Sequence, residues 1–213
     1  MRLAADRHDA QAMYLYAGMV AEGRGVPKDK ARAEVLMAIA AEAGDADAQF
    51  WVGMSALRTY SAGATTDPRP ALQWLERAAA QGLPQANYTL GIFYIISKPE
   101  TGYQDPQRGM AYLRQCAEVM LTPECAFAYA FGYAIGSAGA RDPVKAYAFY
   151  LLSDDAKPYD GAKQRLKELA AQMSPEQIAQ AQAYAVEVKR RIAEAARSRA
   201  LQAGMSSGTG QPK

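Results

Sequence analysis

The stretch EGRGVPKDK, residues 22–30, sets two glycines around an arginine, with two lysines just downstream. Glycines and cations in that company can cradle a phosphate, because small residues let backbone N–H groups close around an anion. A nucleotide loop of that kind needs a strand before it and the order G-x-x-x-x-G-K-[ST], and neither is present. The other chemistry-bearing residues are equally sparse. His8 is the single imidazole, which excludes a multi-histidine metal site and argues against a His-based triad; it reads as a surface turn residue. Asp154, Asp155 and Asp160 form an acidic loop around Pro158, but their order does not fit a calcium loop. Lys189, Arg190, Arg191, Arg197 and Arg199 collect in the last helical stretch, where cations favour a helix C-terminus. The remaining carboxylates fall at helix starts or polar faces, so no isolated pair stands ready for acid–base work. These residues imply no catalytic set, no metal and no cofactor.

Composition narrows the class further. The chain has 213 residues, with 24 Lys plus Arg against 22 Asp plus Glu. That near-balance lacks the basic footprint of a nucleic-acid binder. Alanine is abundant and β-branched residues are scarce, which favours helix over strand. No apolar run approaches the roughly 18 residues that a membrane span needs.

The elements that must position these residues recur. Asp29, Asp67, Asp105 and Asp142 are spaced by 38, 38 and 37 residues, and each precedes a helical pattern of apolar and small residues. An aspartate accepts from the free N–H groups of a first turn, and a neighbouring proline suits the first helical position. A second helix recurs between them: DAQAMYLYAGMV (9–20), DADAQFWVGMSA (45–56), LPQANYTLGIFY (83–94) and PECAFAYAFGYA (123–134). Tyr14, Phe50, Tyr88 and Phe127 share one position, each two residues after a small one (Ala12, Ala48, Ala86, Cys125). These aromatics are expected to fill the space beside closely approaching helices. Gly44 and Gly82 suit left-handed caps at the turns between repeats. EGRGVPKDK then becomes a hinge between two helices of one repeat, and GSAGARDP at 136–143 is an eroded copy of it.

The first repeat, DAQAMYLYAGMVAEGRGVPKDKARAEVLMAIAAEAG, resembles a Sel1-like repeat, a relative of the tetratricopeptide repeat. Ala10, Ala12, Gly23, Gly25, Val26, Asp29, Ala33, Ala40, Ala41 and Gly44 match its signature. Later copies keep Gly53 with Trp74-Leu75, and Leu90-Gly91 with Tyr112-Leu113; the fourth has Tyr129-Ala130 in place of Leu-Gly. The resemblance implies an all-α, right-handed α/α superhelix, a solenoid in which each unit buries its apolar face only by stacking. Residues 1–9 read as the end of a truncated preceding repeat and 10–156 as four repeats. Residues 157–200 read as a degenerate repeat and capping helix, and 201–213 as a disordered tail. The capping helix opens on Ser174-Pro175 with Gln177 closing a capping box, and carries Ile178, Ala181, Ala185, Val188 and Ile192 on one stripe. An apolar signal core is missing at the N-terminus, but a chain that begins within a repeat gives that little weight.

Function follows from the resemblance more than from any motif. Repeat solenoids of this kind imply a non-enzymatic bacterial scaffold or adaptor that grips a protein or peptide partner in a concave groove. In tetratricopeptide relatives the first helix of each pair lines that groove, which makes Met13, Gln49, Trp51, Asn87 and Thr89 the candidate partner-binding residues. Trp51 reads either as an anchor for a partner or as packing near the hinge at 60–66. Cys116 and Cys125 occupy places that usually hold alanine, which suits small buried residues. A cysteine-rich branch of the family staples this junction, which implies a disulfide and an oxidising compartment such as the periplasm. The same branch implies the alternative of a cell-envelope enzyme or cell-wall ligand binder of β-lactam hydrolase type. Ser55, Ser61, Ser97 and Ser137 nevertheless lack an S-x-x-K setting. An immunity protein that neutralises a secreted toxin is a special case of the adaptor. Neither the partner nor the oligomeric state is written in the residues.

Overall fold

The computed structural model describes residues 7–156 and 160–207. Among the described residues every regular element is helical, as the alanine-rich composition predicts. In chain order these are α1 (Arg7–Glu22), α2 (Lys30–Glu42), α3 (Ala46–Ser61), α4 (Arg69–Ala80), α5 (Pro84–Ile96), α6 (Pro106–Val119), α7 (Pro123–Ile135), α8 (Pro143–Ala156), α9 (Asp160–Ala170) and α10 (Pro175–Ser207), with a 3₁₀ turn at Pro99–Thr101. The chain divides into two compact units, Met1–Leu90 and Gly91–Lys213. In the first, α1 packs on α2, α2 on α3 and α3 on α4. In the second, α6 packs on α7, α7 on α8 and α8 on α9, while α10 lies against α8. This is the successive pairing that the repeats require.

Side chains start the helices where the spacing of aspartates places them. Asp29, Asp105 and Asp142 accept the backbone N–H of the residue three further on, each at 2.9 Å. Asp67 departs from the pattern. Pro68 takes the capping position of α4, and the Asp67 carboxylate instead accepts the Arg69 N–H at 3.0 Å and grips the Arg69 guanidinium. With prolines at 68 and 70, the first free N–H sits one residue nearer the carboxylate. The hinge behaves as its glycines require: Gly23 and Gly25 have φ of 79° and 72°. The Asp29 N–H closes the hinge onto the Val20 carbonyl at 3.0 Å. His8 lies in the first turn of α1, not in an inter-helix turn, and residues 1–6 lie outside the described residues.

Between repeats, Gly44 (φ 100°) and Gly82 (φ 86°) terminate α2 and α4. The following N–H reaches back five residues in each case, Asp45 to the Ala40 carbonyl and Leu83 to that of Ala78. This six-to-one bond satisfies a carbonyl the helix end would leave open. Within repeats, helices touch through glycine. A Cβ on Gly53 would sit 2.8 Å from Leu75 Cγ, and one on Gly91 would sit 2.6 Å from Leu113 Cγ. Leu75 and Leu113 are fully buried as a result.

The aromatic position is not the core filler the sequence predicts. Ala48, Ala86 and Cys125 are buried, but Tyr14, Phe50 and Phe127 are half-buried and Tyr88 is 37% exposed. Helices that meet through alanine and glycine come too close to admit a ring between them, so these rings lie along the seam. In the second unit other aromatics fill the interior, with Phe149 edge-on to Tyr129 at 4.7 Å and to Tyr184 of α10 at 6.1 Å. Ser174 and Gln177 exchange hydrogen bonds at the start of α10, a reciprocal capping box. Ala181, Ala185 and Val188 are buried beneath it. The helix runs on past Ala200 to Ser207, and residues 208–213 of the expected tail lie outside the described residues, as do 157–159 of the acidic loop.

Candidate functional site

The five groove candidates all fall in the first unit, and the structure separates them. Gln49 is 6% exposed and Asn87 is wholly buried, so neither faces a partner. Gln49 donates to the Ala41 carbonyl at 3.1 Å. Gln81 donates to Gln49 Oε1 at 2.9 Å and to the Gly44 carbonyl at 3.0 Å. These amides form a clasp over the C-terminal end of α2, where helical carbonyls need donors. Asn87 occupies the same repeat position and donates to the Leu83 carbonyl at 3.1 Å. Met13 packs against the Ala40–Ala41–Ala48 cluster; Trp51 is half-buried. Thr89, also half-buried, returns its hydroxyl to the Gln85 carbonyl. The five do not assemble into a common surface of free functional groups.

Three of the α10 cations, Lys189, Arg190 and Arg191, have carboxylate partners. Arg190 binds Glu187 and Glu194, and Lys189 pairs with Asp155. Among the described residues no group of three His, Cys, Asp or Glu is placed to hold a metal. No described helix is long and apolar enough to cross a membrane.

Open space with functional groups lies instead in the second unit, on both sides of α6. One cleft, of about 470 Å³, lies between α6, α7 and the loop that leads to α8. Arg114 stands on its α6 wall, Tyr129 and Tyr133 on α7 form the floor, and Asp142 and Lys145 close the far side. The other, of about 530 Å³, is bordered by Arg108, Tyr112, Gln115 and Glu118. The two share Ala111 and Arg114. Arg108 lies over the Tyr94 ring at 4.4 Å, and Tyr94 stacks on Tyr112 at 6.0 Å. Such a cation–aromatic stack holds an otherwise mobile arginine in place.

The first cleft owes its shape to local sequence. Tyr129 and Tyr133 are four residues apart on one helix face; their hydroxyls meet at 2.9 Å and their rings at 4.9 Å. Gly136 ends α7 at φ 70°, and a Cβ there would strike the Gly139 carbonyl oxygen at 2.7 Å, so glycine lets the loop fold tightly over the floor. Lys145 lies 5.1 Å over the Tyr133 ring and 3.3 Å from the Asp142 carboxylate. Desolvation works against the Lys145 charge, but Tyr133 and Asp142 more than offset it and raise its pKa. Burial, then the bond to Tyr133, pushes the Tyr129 hydroxyl well above the ordinary tyrosine range. Burial also raises Tyr150, to about 12.

Cys116 of α6 and Cys125 of α7 are joined as a disulfide, with Cα atoms 5.7 Å apart. Both are fully buried. The bond ties together the two helices whose facing residues line the first cleft.

Comparison with known proteins agrees with the helical stacking. The architecture is that of a helical repeat protein. Residues 10–45, 46–83, 84–118 and 123–153 each match the Sel1 repeat, and the chain belongs to that family. No curated protein matches it. Among solved structures it is similar to a protective antigen of uropathogenic Escherichia coli with an SLR fold, at 22% identity and a TM-score of 0.72, over 96% of this chain and 42% of that one. It is also similar to a Sel1 repeat protein from Oxalobacter formigenes, at 29% identity and a TM-score of 0.61, over 75% of this chain and 45% of that one. The chain therefore spans less than half the length of either neighbour.

Proposed function

We propose that this chain is a non-enzymatic adaptor that docks a protein or peptide segment across α6, in the paired clefts of the second unit. The observation that carries the reading is the sharing of Ala111 and Arg114 by two open clefts, which gives an extended segment a continuous path over one helix. Repeat folds commonly serve as interaction scaffolds, and a surface preformed by packed helices limits the entropy lost on binding. Met13, Trp51 and Thr89 keep partial exposure and are proposed only as a secondary contact. The disulfide between α6 and α7 supports placement in an oxidising compartment.

Ala111→Trp tests the reading. Ala111 is exposed, so the fold tolerates the change, while an indole there blocks the path between the clefts. Partners retained by the wild-type chain in a pull-down from the source cell are expected to be lost with this variant, with helicity unchanged by circular dichroism. Equal retention by both proteins removes the α6 surface from consideration.

A further inference from the structure

Resting on that docking surface, the geometry points to a guest that brings a carboxylate into the cleft between α6 and α7. The two tyrosine hydroxyls at 2.9 Å carry two hydrogens and share one hydrogen bond, so one O–H is left to donate to a third atom. Tyr129 is 3% exposed, and its raised pKa keeps it protonated across the physiological range. The floor therefore offers one O–H donor, from whichever of the two tyrosines does not donate within the pair.

The walls supply charge. Lys145 is held in place by Asp142 and the Tyr133 ring, with 41% of its side chain still exposed. Arg114, across the cleft, forms no salt bridge or side-chain hydrogen bond with a described residue. Two cations thus face one carboxylate among the residues lining this cleft, Asp142, a surplus of one positive charge there. Glu118 borders the neighbouring cleft, and its charge also reaches Tyr129, against that of Arg114. A planar guanidinium receives a carboxylate through two parallel N–H···O bonds, and a tyrosine O–H can complete the set. A phosphate dianion would carry a second charge toward Asp142, which makes the monoanion the better fit.

Binding of short peptides to the full, disulfide-bonded chain tests this, read by NMR of tyrosine-labelled protein. The probes are acetyl-Gly-Ser-Glu-Ser-Gly-amide, the same peptide with Gln for Glu, the Gln peptide with a free C-terminal carboxylate, and inorganic phosphate. Either carboxylate peptide is expected to shift Tyr129 and Tyr133 saturably, at least tenfold more tightly than the amidated Gln peptide, and the tighter of the two names the source. Arg114→Gln, an exposed change, should reduce that preference about tenfold and leave the amidated Gln peptide unaffected. Equal binding of all three peptides overturns carboxylate recognition and leaves docking across α6 standing. Tighter binding of phosphate than of either carboxylate overturns the monoanion assignment. Absence of any saturable shift overturns both the inference and the use of this cleft for docking.

Discussion

The α2–α3 junction of the first unit and the α6–α7 junction of the second hold the same place in the repeat by different chemistry. At α2–α3, Ala40 and Ala48 meet with no exposure, Gly44 turns the chain at φ 100°, and the Gln49–Gln81 clasp feeds donors to the helix end. At α6–α7, Cys116 and Cys125 stand where those alanines do, nine residues apart where the alanines are eight apart. The extra residue falls in the turn, and Leu121 takes the left-handed conformation there at φ 49°. A side chain in that region costs about 1–2 kcal/mol that glycine avoids. A short glycine turn is held by packing and amides alone. The longer, strained turn coincides with a covalent bond across it.

The largest expected effect separates these two ways of closing a junction. Cys116→Ala with Cys125→Ala recreates the alanine pair of the first unit, and should lower the stability of the second by about 2–3 kcal/mol, from loop-closure entropy alone. Hydrogen exchange resolved by helix should show faster opening in α6 and α7 with α2 and α3 unchanged. Unaltered exchange would mean that the alanine contact suffices in both places. A smaller loss, about 1–2 kcal/mol, is expected for Gln81→Ala, which leaves the buried Gln49 oxygen without its donor. It should be confined to the first unit in the same experiment, and a loss spread over both would break the comparison. The smallest effect is expected at Leu121→Gly. Relief of backbone strain opposes the loss of packing and the greater freedom of glycine when unfolded. The net change should stay below about 1 kcal/mol in urea melts, with the disulfide intact.

What was legible in the sequence is what neighbours in sequence decide. The Asp29, Asp105 and Asp142 caps, the Gly44 and Gly82 turns and the Ser174–Gln177 box each depend on residues within one turn of one another. Asp67 failed as a cap because two prolines shift the helix start. Gln49 and Asn87 are buried rather than facing a groove, for a longer-range reason. Whether Gln49 faces a partner or the interior is decided by Gln81, 32 residues away, and helical spacing alone does not report that pairing. The cleft did leave a trace. The fourth repeat carries Tyr129-Ala130 where the signature has Leu-Gly, and this departure supplies the cleft floor, whereas Leu90 at the matching place is simply core. A break in a repeat pattern marked the proposed docking surface better than the pattern did.

The additional residue in the Leu121 turn also bears on modular engineering of this chain. Inserted within a helix, one residue would rotate every later side chain by about 100°; placed in a loop, it leaves α7 facing correctly while the residue count slips by one. Chimeras spliced by counting a fixed period through this point would present the wrong face of every downstream module. Cuts made on either side of the cysteine-bridged loop, carrying that loop whole, keep the modules in phase.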